Sequence, residues 1–305
     1  MRIFYEGADI TKNVQVRNCH VHDTCGDRCD SLDITFENAA GWYRWQPAED
    51  ERILVELNGY MSGIMYVNTI LPESGKFRII ATSLPCLARR KECRSYSDKS
   101  ILEIMNICGA STHMNSELYG IEGTTKIPYI QQENESCAAF LHKLLTLEGA
   151  MLKCVNGKYT AIGIAYAQER NAGMTFSVIA DQRDVFYSRS GTTLRTFTIK
   201  TPYAEATAED TAVSTDHVNF VTGCIPARTN VQAGRWARGK LLCMNRKCER
   251  LEMVTGFNPG ATAMIRVDVL GNTDATGDWL IDEAMHDLIN EKTTMIMHRC
   301  IRSIQ

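Results

Sequence analysis

Strict alternation of apolar and polar side chains constrains the first third of this chain more than any other feature. In LDITFEN the apolar residues Leu32, Ile34 and Phe36 alternate with polar ones, the period-2 pattern of a strand with one buried face. Three further segments of strand length follow, at residues 52–59, 62–71 and 76–83. Because no helical pattern separates them, they predict a small antiparallel barrel or sandwich over residues 1–94.

Helical patterns follow this β region. Residues 101–108 place apolar side chains on one helical face up to Gly109, which suits a C-terminal cap. A second helix is predicted to begin at an Asn134 N-cap and to stop at Gly149.

A hairpin signal completes this middle region. The pair Asn156-Gly157 lies between two short apolar runs, and Asn-Gly is the strongest two-residue hairpin signal. The two helices and this hairpin together predict a small α/β module over residues 95–165.

Strand patterns return in the last part of the chain. We expect strands in 175–180 and 193–200, and then a long exposed loop over the Thr- and Ala-rich stretch 201–217. Residues 230–248 have helical spacing despite two glycines, which weaken helices. The remaining segments alternate again, so a second β-barrel domain is predicted over residues 166–305.

Composition excludes several classes of protein. Hydrophobic residues make up 44% and charged residues 23% of the 305, which is ordinary for a globular protein and argues against disorder. A net charge of −3 is too near neutral for bulk attraction to nucleic acid or membranes. The N-terminal MRIFYEGADITKNV lacks the apolar core of a signal peptide, and no run approaches the ~20 apolar residues of a membrane span. We therefore expect a cytoplasmic protein.

The twelve cysteines are scattered rather than grouped as in a disulfide framework. In a reducing compartment, single cysteines in apolar surroundings are mostly small core residues. The cysteines to which this interpretation applies most directly are Cys86, Cys108, Cys137, Cys154, Cys224 and Cys300.

Three stretches resemble one family in the same order along the chain. They are ADITKNVQVRNCHVHDTCGDRCDSLDITFEN, then YIQQENESCAAFLHKLLTLEGAMLKCVNGKYTAI, then GRWARGKLLCMNRKCERLEMVTG followed by GDWLIDEAMHDL. The chain is similar in these stretches to the baseplate hub family of contractile bacteriophage tails. Members of that family are also called late control D proteins, and they are related to the N-terminal part of type VI secretion spike proteins.

The resemblance implies a mainly β, α+β fold in which two antiparallel split β-barrels flank the α/β module. It also implies a homotrimeric ring with six related barrels, which adapts a hexameric tail tube to a trimeric central spike. Implied partners are the tube protein, the spike, baseplate wedge components and, passively, DNA in the lumen. The expected location is the bacterial host cytoplasm during assembly, and then the virion tail or a bacteriocin-like particle. A tail-associated protein of a non-contractile tail is an alternative. No residue-level repeat is visible between the two β regions.

The segment CHVHDTCGDRC is the best candidate for a metal site. His20 and His22 are two apart, so on a strand they share a face, and Cys25 and Cys29 follow across a loop. Zinc accepts these ligand types, but no second pair with zinc-type spacing completes the set. We favour a strand and loop of the first barrel. A cytoplasmic metal-binding or hydrolytic protein that uses residues 19–29 is the rival hypothesis.

Two other spacings suggest metal ligands less strongly. Cys243 and Cys248 form the only C-x4-C pair, at the end of the predicted late helix. Glu283 and His286 would lie on one face of a helix, but the alternation around them indicates a strand. A structural role for His286 is therefore preferred.

Two clusters suggest contact surfaces. One is a basic run over residues 228–250, in which Glu249 is the single acidic residue. Its basic residues are Arg228, Arg235, Arg238, Lys240, Arg246, Lys247 and Arg250. We expect this run to contact acidic neighbours in an assembly, with DNA in a channel as the alternative. Trp42, Tyr43 and Trp45 are interpreted as a plug at a barrel end, or else as an interface anchor.

Signatures of enzymes are missing from the sequence. There is no glycine-rich phosphate loop, no G-x-S-x-G elbow and no nucleophile–histidine pattern in a known context. The three modules also leave no room for the peptidoglycan hydrolase domain that some hub proteins carry. We therefore predict a structural protein that is not an enzyme, with no catalytic, cofactor-binding or metal-binding residues.

Overall fold

The computed structural model describes residues 1–37, 46–73, 75–179, 182–215 and 218–305. Strands hold 49% and helices 19% of the described residues, which confirms the prediction of a mainly β fold with antiparallel sheets.

The strands and helices fall into three consecutive groups. The first group is β1 (Arg2–Tyr5), β2 (Ala8–Asp9), β3 (Gln15–Thr24), β4 (Ser31–Glu37), β5 (Arg52–Leu57), β6 (Tyr60–Met61), β7 (Met65–Glu73) and β8 (Lys76–Thr82). The second is α1 (Cys86–Arg89), β9 (Lys91–Ser100), α2 (Ile101–Thr112), β10 (Asn115–Tyr119), β11 (Lys126–Ser136), α3 (Cys137–Leu147), β12 (Ala150–Val155), β13 (Lys158–Gly163) and α4 (Ile164–Glu169). The third is β14 (Met174–Val178), β15 (Val185–Arg189), β16 (Thr196–Lys200), β17 (Glu205–Glu209), β18 (Asn219–Thr222), α5 (Asn230–Asn245), β19 (Glu249–Gly256), β20 (Arg266–Gly271), β21 (Gly277–Asp287) and β22 (Lys292–Arg299).

One large sheet contains strands from the first and last groups. Its strand order is β15-β19-β22-β21-β3-β4-β8-β7-β5-β1-β2, with β20 and β14 added on β21 and β6 on β5. Within the described ranges this path does not return to its first strand, so the sheet is not a closed barrel. The division into two split barrels, and the boundaries at residues 94 and 165, remain predictions.

The two halves of this sheet repeat one strand order. The first half runs β3-β4-β8-β7-β5 and the second runs β15-β19-β22-β21-β20, and every neighbouring pair is antiparallel. Both halves carry a bulge at the same step, between Val67 and Thr69 in β7 and between Ile281 and Glu283 in β21. The structure thus reveals an internal repeat of topology that is not visible in the sequence.

The halves join where β21 changes its partner. Residues 277–280 of β21 pair with β20, whereas residues 283–287 pair antiparallel with β3, so that Met285 faces His22. Strand β22 follows β21 along both parts. One long strand therefore belongs to both halves.

The alternating residues of the first β region form its core. Leu32, Ile34 and Phe36 are each 0% exposed, which confirms the predicted buried face of β4. Phe197 of β16 and Trp236 of α5 instead share a core with α2 and α3. The small sheet β17-β16-β18 and helix α5 therefore pack on the middle module.

The two predicted helices form, but their ends differ from the prediction. Helix α2 continues past Gly109 to Thr112 and ends at His113, whose φ of 56° is left-handed. Gly109 is needed for close packing, because a Cβ there would lie 2.3 Å from the Met114 carbonyl oxygen. Helix α3 is capped by the Ser136 side chain, which accepts from the Ala139 N–H.

Asn134, the predicted N-cap, lies in strand β11 instead, with a φ of 48°. Asn156 and Gly157 do form the predicted turn between β12 and β13, with φ of 49° and 69°. Asn-Gly is favoured in such two-residue turns because both central residues need a positive φ.

The predicted long loop at 201–217 is wrong for part of its length. Residues 205–209 form β17, which pairs antiparallel with β16. Its small Ala206 and Ala208 side chains pack on the core that contains α5. A strand with alanine on its inner face has little hydrophobic contrast, so pattern analysis interprets it as a loop. Residues 216 and 217 lie outside the described ranges.

Candidate functional site

The two histidines of the CHVHD segment line the junction between the halves. His20 and His22 share one face of β3, as predicted, and each side chain is about one-third exposed. The Nδ1 atom of His22 lies 3.2 Å from a Glu283 carboxylate oxygen, and that of His20 lies 3.9 Å from Asp287. The hydrogen bond from His22 lowers the pKa of Glu283. This face therefore pairs imidazoles with carboxylates across β3 and β21.

The two cysteines of the same segment do not join the histidines. Cys25 is buried, and its N–H donates to the Asp282 carbonyl oxygen at 3.1 Å. Cys29 packs against the core of the middle module. Burial raises the pKa of both thiols. Across the described ranges, no group of three or more His, Cys, Asp or Glu side chains could hold a metal ion.

All twelve cysteines are described and all are free. Half of them are buried, namely Cys19, Cys25, Cys108, Cys137, Cys154 and Cys243. Cys86 and Cys224 are exposed and Cys300 is partly exposed, so the interpretation as core residues is wrong for Cys86 and Cys224.

A buried ion cluster ties the loop after β3 to the middle module. The Lys153 ammonium lies 2.9 Å from an Asp23 oxygen and 3.1 Å from both Asp30 oxygens. Burial alone would lower the pKa of Lys153, but the two carboxylates outweigh it and raise that pKa. Burial raises the pKa of Asp30, with Lys153 opposing. Asp23 also accepts from the Ala263 N–H, so three chain segments meet at this cluster.

A second buried cluster surrounds Asp282. This residue of β21 lies between the segment that pairs with β20 and the segment that pairs with β3. The Arg246 guanidinium is 0% exposed and pairs with one Asp282 oxygen, while the Nδ1 of His298 lies 2.8 Å from the other. Burial alone would raise the pKa of Asp282, but Arg246 and His298 outweigh it and lower it to about 2. A bulge re-aims a side chain, and here it brings a carboxylate to a buried arginine.

Sequence reasoning missed both clusters. It placed Arg246 in a basic run expected to contact acidic neighbours in an assembly, whereas this residue is buried and pairs with Asp282 of its own chain. The available signal was Asp282 itself, a carboxylate inside the apolar run WLIDEAM.

Other members of the basic run also have partners within the chain. Arg235 donates two hydrogen bonds to Glu148, at 2.6 and 3.0 Å, and the indole N–H of Trp236 donates to the same carboxylate at 2.6 Å. The Arg228 guanidinium lies 4.6 Å from the Tyr203 ring centre. These contacts fasten α5 to α3 and to its neighbouring loop, so much of the run serves the fold.

The remaining candidates from the sequence are His286, the pair Cys243 and Cys248, and the aromatic group of residues 42–45. His286 lies on strand β21 as predicted, 0% exposed, between the Thr293 hydroxyl at 3.1 Å and the Ala261 carbonyl at 3.0 Å. Burial lowers the pKa of His286, which fits a structural role. Cys243 and Cys248 lie at the end of α5 and in the turn after it. The aromatic group Trp42, Tyr43 and Trp45 lies outside the described residues.

Two of the strand edges that stay unpaired in the large sheet, within the described ranges, lie on β15 and on β7. Strand β15 ends the sheet order and pairs only with β19. Residues 69–72 of β7 pair with β8 on one side, whereas pairing with β5 stops at Tyr66. Phe186 on β15 is 58% exposed and Leu71 on β7 is 37% exposed. Exposed edges with apolar side chains are templates for association.

In the part of the chain that the structure describes, no helix combines the length and apolar character needed to cross a membrane.

Comparison with known proteins identifies the fold. No protein-family model and no curated protein matches the sequence. Among solved structures, the chain is similar to the 43 kDa tail protein of prophage MuSo2 from Shewanella oneidensis, with a TM-score of 0.73, 13% identity and 99% of each chain covered. A tail protein from Neisseria meningitidis has a TM-score of 0.75 at 11% identity, over 98% of this chain and 95% of that one.

A type VI secretion component from E. coli, itself described as similar to bacteriophage T4 tail proteins, has a TM-score of 0.61 at 11% identity. The match covers 97% of this chain and 76% of that one. The chain therefore has the fold of phage tail proteins and of a related secretion component.

Proposed function

We propose that this protein is a structural hub subunit of a contractile phage tail or phage-tail-like particle. Three copies form a ring that connects a hexameric tail tube to a trimeric central spike, with baseplate wedge components around it. The protein acts through shape and contact rather than catalysis. It is assembled in the host cytoplasm and then resides in the particle.

The observation that supports this proposal most directly is the repeated strand order. One chain presents two halves with the same five-strand order and a bulge at the same step. Three such chains place six related β units around a three-fold axis. Each subunit of a hexameric tube then meets a similar surface, while the ring itself keeps the symmetry of a trimeric spike.

The junction between β3 and β21 provides the second support. It joins the halves edge to edge through five paired positions, and two buried ion clusters flank it. Two hydrogen bonds also cross the junction, from the Ala263 N–H to the Asp23 carboxylate and from the Cys25 N–H to the Asp282 carbonyl. These contacts and the strand pairing together hold the relative position of the two halves. A fixed angle between halves is what a symmetric adaptor needs.

The likeness to tail proteins over nearly the whole chain supports a role in a tail, although identities of 11–13% carry the fold alone. The first test is the mass of the purified protein. The chain mass is 34.2 kDa, so a trimer has a mass of about 103 kDa, from three times that value. A monomer at all concentrations contradicts the proposal.

The second test is co-purification with candidate tube and spike proteins encoded in the same genome. Capture of both by the trimer supports a hub that faces two partners. Capture of a tube protein together with a long fibre-like distal partner, and no spike, would favour a non-contractile tail instead. Capture of neither by a trimeric sample contradicts the adaptor role.

A further inference from the structure

We propose that β15 of one copy pairs antiparallel with residues 69–72 of β7 in the next copy, in the register that β3 and β21 use within the chain. This inference rests on the proposed ring and names the surface that builds it. The occupant of each free edge is a second copy of this chain.

The register follows from the repeat. Two paths of paired residues cross the halves strand by strand. The first is His22–Ser31–Thr82–Tyr66 and the second is Ser188–Arg250–His298–Leu280. The last paired residue before the bulge is Val67 in β7 and Ile281 in β21. Tyr66 and Leu280 immediately precede these residues, so the two paths end at equivalent positions. Ser188 is therefore the equivalent of His22.

The opposite strand follows by the same count. Met285 faces His22 and lies two residues after Glu283, the first paired residue past the bulge. Leu71 lies two residues after Thr69, the first paired residue past the other bulge. Ser188 of one copy should thus face Leu71 of the next.

Backbone groups on β15 are available for this pairing. The N–H of Ser190 donates to the Cys248 carbonyl at 2.7 Å, and antiparallel strands alternate the side to which their N–H groups point. The N–H groups of Tyr187 and Arg189 therefore point away from β19. Exposed edges of this kind carry unpaired donors and acceptors that another strand satisfies.

The edge on β7 is open over the matching length. The N–H of Val67 donates to the Glu51 carbonyl at 2.8 Å, and beyond that contact no described residue pairs with this side of β7 as far as Pro72. Pro72 has no N–H, so its pair would form one hydrogen bond rather than two. The exposed Leu71 and Phe186 side chains would be covered by the pairing.

A second copy fits these edges because the chain already builds the same junction internally. Each copy has one β15 edge and one β7 edge, so the contact between copies is head to tail. Such contacts form a closed ring when the rotation that relates neighbouring halves is a whole fraction of a full turn. In a trimer, junctions of β3 with β21 alternate with junctions of β15 with β7. All the large sheets then become one continuous ring.

The test is a cysteine pair across the interface. We would combine Leu71→Cys with Ser188→Cys in a background where the exposed Cys86, Cys93 and Cys224 are serine. Oxidised glutathione is then added, and the products are separated by non-reducing gel. The expected result is a covalent dimer and a covalent trimer, with no larger cross-linked species on the gel. Each single cysteine substitution in the same background should remain monomeric on the gel.

A backbone variant provides independent evidence. Arg189→Pro removes an outward-facing N–H and should abolish the trimer peak, whereas Arg189→Ala keeps the N–H and should leave the trimer intact. A trimer that neither cross-links nor responds to Arg189→Pro overturns this pairing and leaves the proposed hub in place. A wild-type protein that is monomeric throughout overturns both.

Discussion

The Nδ1 of His298 lies 2.8 Å from a carboxylate oxygen of Asp282, at the residue where β21 leaves β20 and takes β3 as its partner. The buried Arg246 holds the other oxygen of the same carboxylate. The Asp282 carbonyl accepts from the Cys25 N–H at the first turn after β3. One residue thus connects the two halves of the sheet and the end of helix α5.

Asp282→Asn should strongly destabilise the protein. The change keeps the size of the side chain but leaves Arg246 buried without a counter-charge, which costs about 3–5 kcal/mol. Urea unfolding followed by tryptophan fluorescence measures the loss. Asp274→Asn, at an exposed site in a neighbouring turn, is the matched control and should change stability by less than about 0.5 kcal/mol. Equal stability of the two variants would contradict the role assigned to this cluster.

The Asp282 cluster also predicts loss of stability in acid. The pKa of Asp282 is lowered to about 2 in the fold, against about 3.9 in an unfolded chain. Its contribution of about 2–3 kcal/mol is complete above about pH 5 and is lost progressively as the pH falls towards 2. Unfolding free energy measured from pH 5 to pH 2 should decline, and the decline should be shallower in Asp282→Asn. Parallel curves for the two proteins would exclude Asp282 as the titrating group.

Lys153→Met should destabilise the protein more at pH 7 than at pH 5. Without the amine, Asp23 and Asp30 face each other in a buried site, at a cost of about 3–5 kcal/mol. Because burial raises the pKa of Asp30, this carboxyl takes up a proton first, which relieves the repulsion in mild acid. Chemical unfolding at the two pH values tests this. Lys12→Met, at an exposed lysine in the turn after β2, should show little change at either pH.

Two glycines of α5 should respond to alanine with opposite signs. A Cβ on Gly239 would lie 2.2 Å from the Leu147 carbonyl oxygen and 2.4 Å from the Gly149 nitrogen, whereas a Cβ on Gly234 would lie 3.7 Å from its nearest neighbour. Gly239→Ala should cost about 1–3 kcal/mol through overpacking. Gly234→Ala should gain about 0.5–1 kcal/mol, because alanine favours a helix interior. Thermal melts compare the two directly, and a shift in the same direction would contradict the close crossing of α5 over α3.

Local patterns predicted much of this fold because they report local physics. The alternation of Leu32 and Ile34 predicted the buried face of β4, and Asn156-Gly157 predicted a turn that needs two positive φ angles. These features depend on burial of one face and on backbone preference, both of which a short stretch of residues encodes. Helix ends were less predictable, because Gly109 stays inside α2 for a packing reason that involves Met114.

The candidate site shows the limit of such patterns. His20 and His22 were found by their spacing, but their partners Asp287 and Glu283 lie more than 250 positions away in sequence and become neighbours only through strand pairing. Their spacing alone suggested a metal site as readily as a charged junction.

The sequence by itself determined that this chain builds strands in two regions around a helical module, because side-chain period and turn chemistry are local properties. Only the tertiary structure decided that the two β regions repeat one strand order and share β21, because strand pairing is set by backbone hydrogen bonds between distant segments. The same long-range pairing buried Arg246 and Lys153. From the sequence alone these charged side chains are expected at the surface, because the carboxylates that pair with them lie far away along the chain.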